Sequence, residues 1–272
     1  MSSVYSMTPS AAPQKSSGPR VFKRLEDWQV CRSALQGSVG FVPTMGALHA
    51  GHGSLLERSV AENDYTVLSI YLNPTQFNSP KDLDCYPKTL ERDLKMARDI
   101  GVDFVITPSY EQMYADGFRY QVDETRFSSE LCGEHRPGHF TGVLTVVMKL
   151  LNIARADRAY FGEKDYQQYL LIRDMCEAFF MDLEIVPCAT VREADGLAMS
   201  SRNENLDKAG RAKAGLLNNL IRSTLDDEQV SQALREAGFD VDYIVSREGR
   251  RSAAASLVCG DRVVRLLDNV AC

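Results

Sequence analysis

The sequence predicts an α/β protein: a Rossmann-like, doubly wound parallel sheet followed by a small α+β C-terminal domain. Three observations carry that reading. Apolar, β-branched runs alternate with helical runs between residues 38 and 191. The connections between them are short. Past about Asn205 the order changes, with helical segments first and strands after them. At 272 residues the chain can bury a full core without disulfide or metal staples.

Taken in order, residues 1–20 are rich in Ser, Pro and Ala and lack the apolar stretch of a secretory signal, so they read as a disordered extension. Residues 25–35 suit a short helix. Residues 38–44 form a buried strand ending near Pro43. Residues 51–63 are helical, with Leu55, Leu56, Ser59 and Val60 on one side. Residues 66–72 form a second strand. Residues 89–100 form an amphipathic helix, with Leu90, Leu94, Ala97 and Ile100 on one face and Gly101 as its C-cap. Residues 102–107 are a third strand. The pattern resumes with a helix at 141–154, a strand at 158–161, a helix at 165–179 and a strand at 183–191. In the small domain, helices at 209–223 and 228–236 precede strands at 241–245 and 262–267. The expected division is an extension at 1–20, a large domain at 21–204 and a small one at 205–272.

Charge and cysteine content exclude several function classes. With 37 acidic and 31 basic residues the net charge is −6, which argues against a general grip on nucleic acid. No apolar run approaches the roughly 18 residues of a membrane span. Seven scattered cysteines without a C-x-x-C pair suit reduced thiols in a cytoplasmic protein and argue against a structural zinc site; no protein-held metal is expected.

Four polar stretches lie where strands end, the place where parallel sheets bind ligands. The first is Met45-Gly46-Ala47-Leu48-His49-Ala50-Gly51-His52, after the first strand. Helix starts there present unpaired amides to phosphate. His49 and His52, three apart, project to one side, can donate hydrogen bonds to phosphate oxygens, and add charge when protonated. The second is Asn73-Pro74-Thr75-Gln76, which supplies neutral donors or merely a capped turn. The third is Gly162-Glu163-Lys164-Asp165 with Gln167 and Gln168. Asp165 is placed to cap the helix, and a lysine beside a positive helix end makes sense if an anion lies between. The fourth is Met199-Ser200-Ser201-Arg202, whose hydroxyls and guanidinium suit a polyphosphate. Arg136-Pro137-Gly138-His139 adds a polar cluster before a helix; His139 is equally readable as a structural histidine. Neither G-x-G-x-x-G nor a P-loop is present.

As an ordered set, these stretches resemble the pantoate–β-alanine ligase (pantothenate synthetase) family of the HIGH-motif nucleotidyltransferases, from about Val21 to Asn205. The HIGH-type motif is His49-Ala50-Gly51-His52, and the KMSKS-like loop is Met199-Ser200-Ser201-Arg202. Arg265-Leu266-Leu267-Asp268-Asn269 also looks like that family. The resemblance implies a cytoplasmic homodimer that condenses (R)-pantoate with β-alanine to pantothenate, AMP and pyrophosphate through pantoyl adenylate. It implies ATP as substrate, with Mg²⁺ carried on the nucleotide. His49, His52 and Lys164 would be catalytic, with His52 the proton donor. ATP would lie against Met45 to His52, Gly162 to Asp165, Val191 and Met199 to Arg202. Gln76, Gln168, Asn73 and His139 would bind pantoate and β-alanine. Residues 21–204 would hold nucleotide and pantoate, and residues 205–272 would act as a lid.

Neutral glutamines suit this task, because a cation clamped on the pantoate carboxylate would blunt its nucleophilicity. Two departures from the family stand out. Gly53 replaces the usual leucine inside the first helical turn, at a cost of about 1 kcal/mol against alanine. The C-terminal domain reads as shorter than typical, which puts lid closure in question. A transferase acting on another acid, and a nucleotide-binding regulator without turnover, are the competing readings.

Overall fold

The computed structural model describes residues 18–272. The elements are β1 (Arg20–Phe22), α1 (Leu25–Ala34), β2 (Val39–Thr44), α2 (Ala50–Glu62), β3 (Tyr65–Ile70), α3 (Pro80–Asp84), α4 (Leu90–Ile100), β4 (Phe104–Ile106), α5 (Tyr110–Met113), α6 (Cys132–His135), α7 (His139–Ala154), β5 (Arg158–Gly162), α8 (Tyr166–Ala178) and β6 (Glu184–Cys188). They are followed by α9 (Lys208–Ala214), α10 (Leu216–Ile221), α11 (Asp227–Glu236), β7 (Asp240–Arg247), β8 (Arg250–Cys259) and β9 (Arg262–Ala271).

Six strands form one parallel sheet in the order β1-β4-β3-β2-β5-β6. The chain runs outward from β2 through β3 to β4, then returns to add β5 and β6 on the other side. The order therefore reverses between β2 and β5, and a ligand crevice opens at their carboxyl ends. Alternating side chains feed two cores. Phe41 joins Trp28, Leu144 and Ile172 on the α1–α7–α8 face. Its neighbour Val42 joins Leu56, Leu68 and Ala97 on the α2–α4 face. Gly101 ends α4 with φ 96°, as its C-cap position predicts.

The second unit is an antiparallel sheet, β7-β8-β9, packed on α9, α10 and α11 around Leu217, Leu234, Ala253, Ala255 and Val264. It departs from the sequence reading in two places. The predicted helix at 209–223 breaks into α9 and α10 at Gly215, where a Cβ would stand 2.8 Å from Asp195 Oδ2. The middle strand, β8, lies in a segment left without an element, because Arg-Arg-Ser-Ala-Ala-Ala shows neither strand alternation nor β-branched residues. Strand β1 likewise falls outside the elements the sequence predicts. It starts at Arg20, the last residue of the expected extension; residues 1–17 of that extension lie outside the described residues. Among the described residues no helix is long and apolar enough to cross a membrane. All seven cysteines are free.

Candidate active site

The turn from β2 to α2 builds its own cap. His49 occupies the N-cap of α2, and its Nδ1 accepts the Gly51 amide at 3.1 Å. His52 reciprocates, its Nδ1 accepting the His49 amide at 3.4 Å. A backbone N–H can only donate, so both Nδ1 atoms are acceptors and each neutral ring carries its proton on Nε2. The rings lie 4.1 Å apart. Gly51 is required here, since a Cβ would stand 2.8 Å from the His49 ring. Burial first, then the Lys164 ammonium, lowers His49 to about 4. Burial, then His49, then Lys164 lowers His52 to about 3. At neutral pH neither histidine supplies the charge that a protonated ring would add.

Asp93, which the sequence reading did not single out, holds the same turn from α4. Its carboxylate accepts the amides of Ala47 and Leu48 at 2.9 Å each and the Thr89 hydroxyl at 3.0 Å. That grip keeps Ala47 at φ 51°, a left-handed conformation unusual for alanine. The signal was an acid three residues after Leu90, on the apolar stripe of an otherwise amphipathic helix. Ala47 and Leu48 are almost fully buried and their amides are taken by Asp93, so they shape the turn and offer a ligand no free amide.

After β3, Asn73 is 1% exposed and hydrogen-bonded all round. Its amide reaches Gln76 Oε1 at 3.0 Å and the Gly142 carbonyl at 3.3 Å, and its Oδ1 accepts the Tyr114 hydroxyl at 2.8 Å. Asn73 thus orients Gln76, whose Nε2 faces the Met45 sulfur at 3.3 Å. His139 holds the same turn from the other side. Its Nδ1 donates to the Gln76 carbonyl at 2.8 Å, and its Nε2 accepts Arg136 Nη1 at 3.0 Å. Burial, then the Arg136 guanidinium, lowers His139 to about 3. Arg136 itself is lowered to about 10 by burial and by Arg202 and Arg265, and stays cationic at neutral pH.

After β5, a short 3₁₀ turn, Glu163–Asp165, carries Lys164. Asp165 stands at the N-cap of α8 but makes no side-chain cap, contrary to the sequence expectation. It pairs instead with Lys164 at 3.3 Å. Burial pushes its carboxyl up, yet Lys164 and Arg202 outweigh burial and hold it below the usual range. One residue apart on α8, the two glutamines divide the work. Gln167 is buried and ties down the carbonyls of Phe127 and Glu130 and the Cys132 amide. Gln168 turns to the cavity.

After β6, the 189–202 segment folds back on the first turn. The Met199 amide donates to the Val191 carbonyl at 3.0 Å, and Ser201 Oγ donates to the Ala47 carbonyl at 3.1 Å. Ser200 caps the 3₁₀ turn Ser201–Asn205, and Arg202 reaches Asp82 at 3.3 Å.

One cavity, about 1240 Å³ of space open to solvent, gathers these parts. Met45, His52, Asn73, Gln76, His139, Lys164, Asp165, Gln168 and Arg202 all line it. The other candidates expected to hold ATP, His49 among them, are not among the residues that line it. Arg136 lines it too, although the sequence reading gave a binding role only to His139 of that cluster. So do Tyr243, Ser252 and Leu267 to Asn269 of the small unit. Its lining also has an apolar part: Pro43, Phe140, Val143, Val147 and Phe161. Mg²⁺ arriving on a nucleotide fits this donor set. Asp165 provides one carboxylate, and among the described residues no cluster of three or more metal-ligating side chains exists.

Residues 20–271 match the family model described as Pantoate-beta-alanine ligase. A pantothenate synthetase of Bdellovibrio bacteriovorus is 51% identical over 251 residues, covering 92% of this chain and 98% of that protein. One of Legionella pneumophila is 49% identical over 252 residues, with the same shares covered. Among solved structures, the pantoate-beta-alanine ligase of Francisella tularensis, complexed with beta-gamma ATP and beta-alanine, superposes with a TM-score of 0.87 at 37% identity, covering 93% of this chain and 97% of that one. The pantothenate synthetase of Thermus thermophilus gives 0.84 at 37% identity, covering 93% of this chain and 99% of that one. These alignments span nearly all of each relative, so the C-terminal unit is not shortened against them, contrary to the sequence reading.

Proposed function

This chain belongs to the pantoate-beta-alanine ligase family, and from that premise we propose how its residues share the work. The enzyme is an ATP-dependent ligase that forms pantothenate from pantoate and β-alanine. The proposed route has two steps. A pantoate carboxylate oxygen attacks the α-phosphorus of ATP; the bond to the β-phosphate oxygen breaks and pyrophosphate leaves. The β-alanine amine then attacks the carbonyl carbon of pantoyl adenylate and displaces AMP.

The observation that carries this reading is the convergence of nine sequence-selected residues from separate segments on one cavity. Its apolar wall suits the two geminal methyl groups of pantoate, and Gln76 and Gln168 are placed to orient its hydroxyl and carboxylate. Lys164 and Arg202 supply charge at the phosphates. His49 and His52 act there as neutral Nε2–H donors, held by their own backbone. A proton-donor role for His52 therefore requires Nδ1 to release the His49 amide and take up a proton, which an anionic nucleotide beside the ring favours. Mg²⁺ carried on ATP, reachable by Asp165, would neutralise phosphate charge. Asn73 and His139 act one step back, by fixing Gln76 from both sides.

The amine must lose a proton before or during attack. The acceptor nitrogens of His49, His52 and His139 are all engaged. The phosphate of the adenylate or water is left to take it. A homodimer formed through the larger unit and a cytoplasmic setting complete the proposal, supported by family resemblance and by the free thiols. Sedimentation at micromolar concentration tests the dimer.

The central test is pyrophosphate exchange into ATP with magnesium and without β-alanine. Exchange that requires D-pantoate establishes the adenylate. Exchange with a different acid, or none with any acid, overturns the assignment.

A further inference from the structure

The Asp268-Asn269 end of β9 takes no part in the chemistry described above, yet both side chains are only 4% exposed at the cavity wall. Asp268 binds Arg192 through two hydrogen bonds, 2.7 and 2.8 Å, and accepts the Asn218 amide at 2.8 Å. Arg192 directly follows Val191, whose carbonyl holds Met199. Asn269 faces the other phosphate-side turn. Its Nδ2 donates to the carbonyls of Glu163 at 2.8 Å and Lys164 at 3.0 Å, and its Oδ1 accepts from Arg250. Arg250 in turn lies 3.9 Å over the Tyr166 ring and reaches the Glu163 carboxylate at 3.4 Å.

We infer that Asn269 is a positioning residue for Lys164: the small unit's last strand fixes the backbone of the Glu163–Asp165 turn and so aims the lysine at the ATP phosphates. The inference rests on the phosphate role proposed for Lys164. The turn is three residues long and sits between a strand and a helix. A lysine stem is long and flexible, so the direction of its root governs where the ammonium dwells. Two donor hydrogens on consecutive carbonyls set that root. They come from a residue more than a hundred positions away in the chain, on the unit that packs over the site. Misplacement of a catalytic group by about 1 Å costs on the order of 100-fold in rate.

Asn269→Asp keeps the shape but sets an acceptor against two carbonyl oxygens. Asn269→Ala removes the side chain. Saturation kinetics of pyrophosphate exchange should show the maximal rate falling on the order of 10- to 100-fold in both, with the Asp variant at least as impaired and KM for ATP moved far less. In a Lys164→Ala background the same Asn269→Asp change should cost less than about 2-fold, because its effect runs through the lysine. Asn269→Ser, which keeps one donor, should recover part of the loss seen in Asn269→Ala, and this pair carries the test if the Asp variant does not fold.

An Asn269→Asp enzyme with wild-type exchange overturns the inference. So does a loss of equal size with and without Lys164, which marks Asn269 as merely structural. If Lys164→Ala alone leaves exchange intact, the phosphate role of the lysine fails and the inference falls with it, a result distinct from the other two.

Discussion

Two turns at the carboxyl ends of neighbouring strands bring their side chains to the same cavity, but they are held in opposite ways. The β2–α2 turn is shaped locally: His49 and His52 cap their own helix, and Asp93 pins the loop from a helix of the same sheet layer. The β5–α8 turn is shaped from afar, with Asn269 and Arg250 of the small unit gripping its backbone and its Glu163 carboxylate. The first should survive any movement of the small unit. The second should change with it, so the charge on Lys164 is delivered only when β9 is seated. If the reaction runs through the proposed adenylate, that order of events shields it from water.

The difference is sharpest in acid. His49 and His52 are neutral in the fold, lowered from 6.5 to about 4 and about 3, so above pH 6.5 they cost nothing. As pH falls below 6.5 the unfolded chain binds protons that the native turn refuses, and stability drops until the folded pKa values are reached. At pH 5 this amounts to about 2 kcal/mol for each ring, about 4 kcal/mol for the pair. His139 adds to the drop in the same direction. Asp165 in the other turn is lowered from 3.8, so its contribution is intact at pH 5 and fades only below about pH 4. Urea unfolding at pH 7 and pH 5 measures the drop. In His52→Gln it should shrink by about 2 kcal/mol; an unchanged drop would break the local-capping account.

Lys164→Ala should lower pyrophosphate exchange about 100- to 1000-fold, the usual loss for one donor to developing charge. Its folding stability should fall by no more than about 1 kcal/mol, since the Asp165 carboxylate it offsets against burial is also held by Arg202. Asp93→Ala should show the reverse balance. It strands the amides of Ala47 and Leu48, both buried, at a cost of about 2 kcal/mol in urea unfolding. Exchange should fall as well, through displacement of His49. If Asp93→Ala leaves stability unchanged, the turn is held by something other than that carboxylate.

The same contrast decides how much the sequence could show. The parallel sheet was legible because β2 and β3 are β-branched apolar runs that alternate with helical periods. The β2–α2 turn was legible because its two histidines, and the cap they form on each other's turn, lie within four residues. Asp93 was readable only as an oddity, an acid on an apolar stripe. Strand β8 was hidden because its Ala253-Ala254-Ala255 run owes its conformation to burial between β7 and β9, not to propensity. Asn269 stood out only by resemblance, because no local pattern announces a side chain that bonds to a turn a hundred residues earlier. At Gly215, where the 209–223 helix splits, the Asp195 carboxylate packs against the backbone from about twenty residues away. Long-range contacts, then, are where the reading of the chain ran out.

Gly53 offers the finest test of local control. It closes the first turn of α2, its amide bonded to the His49 carbonyl at 3.0 Å. A Cβ there would meet only Ile100 Cδ1, at 3.7 Å, an ordinary contact. Nothing steric calls for glycine at this position. Gly53→Ala should therefore stabilise the protein by about 1 kcal/mol in urea unfolding. If the capping pair of His49 and His52 alone sets the turn, exchange activity stays at the wild-type level. A stabilised but slower enzyme would instead show that α2 must give at its start when ATP binds, and that the local turn is as mobile as the one β9 holds.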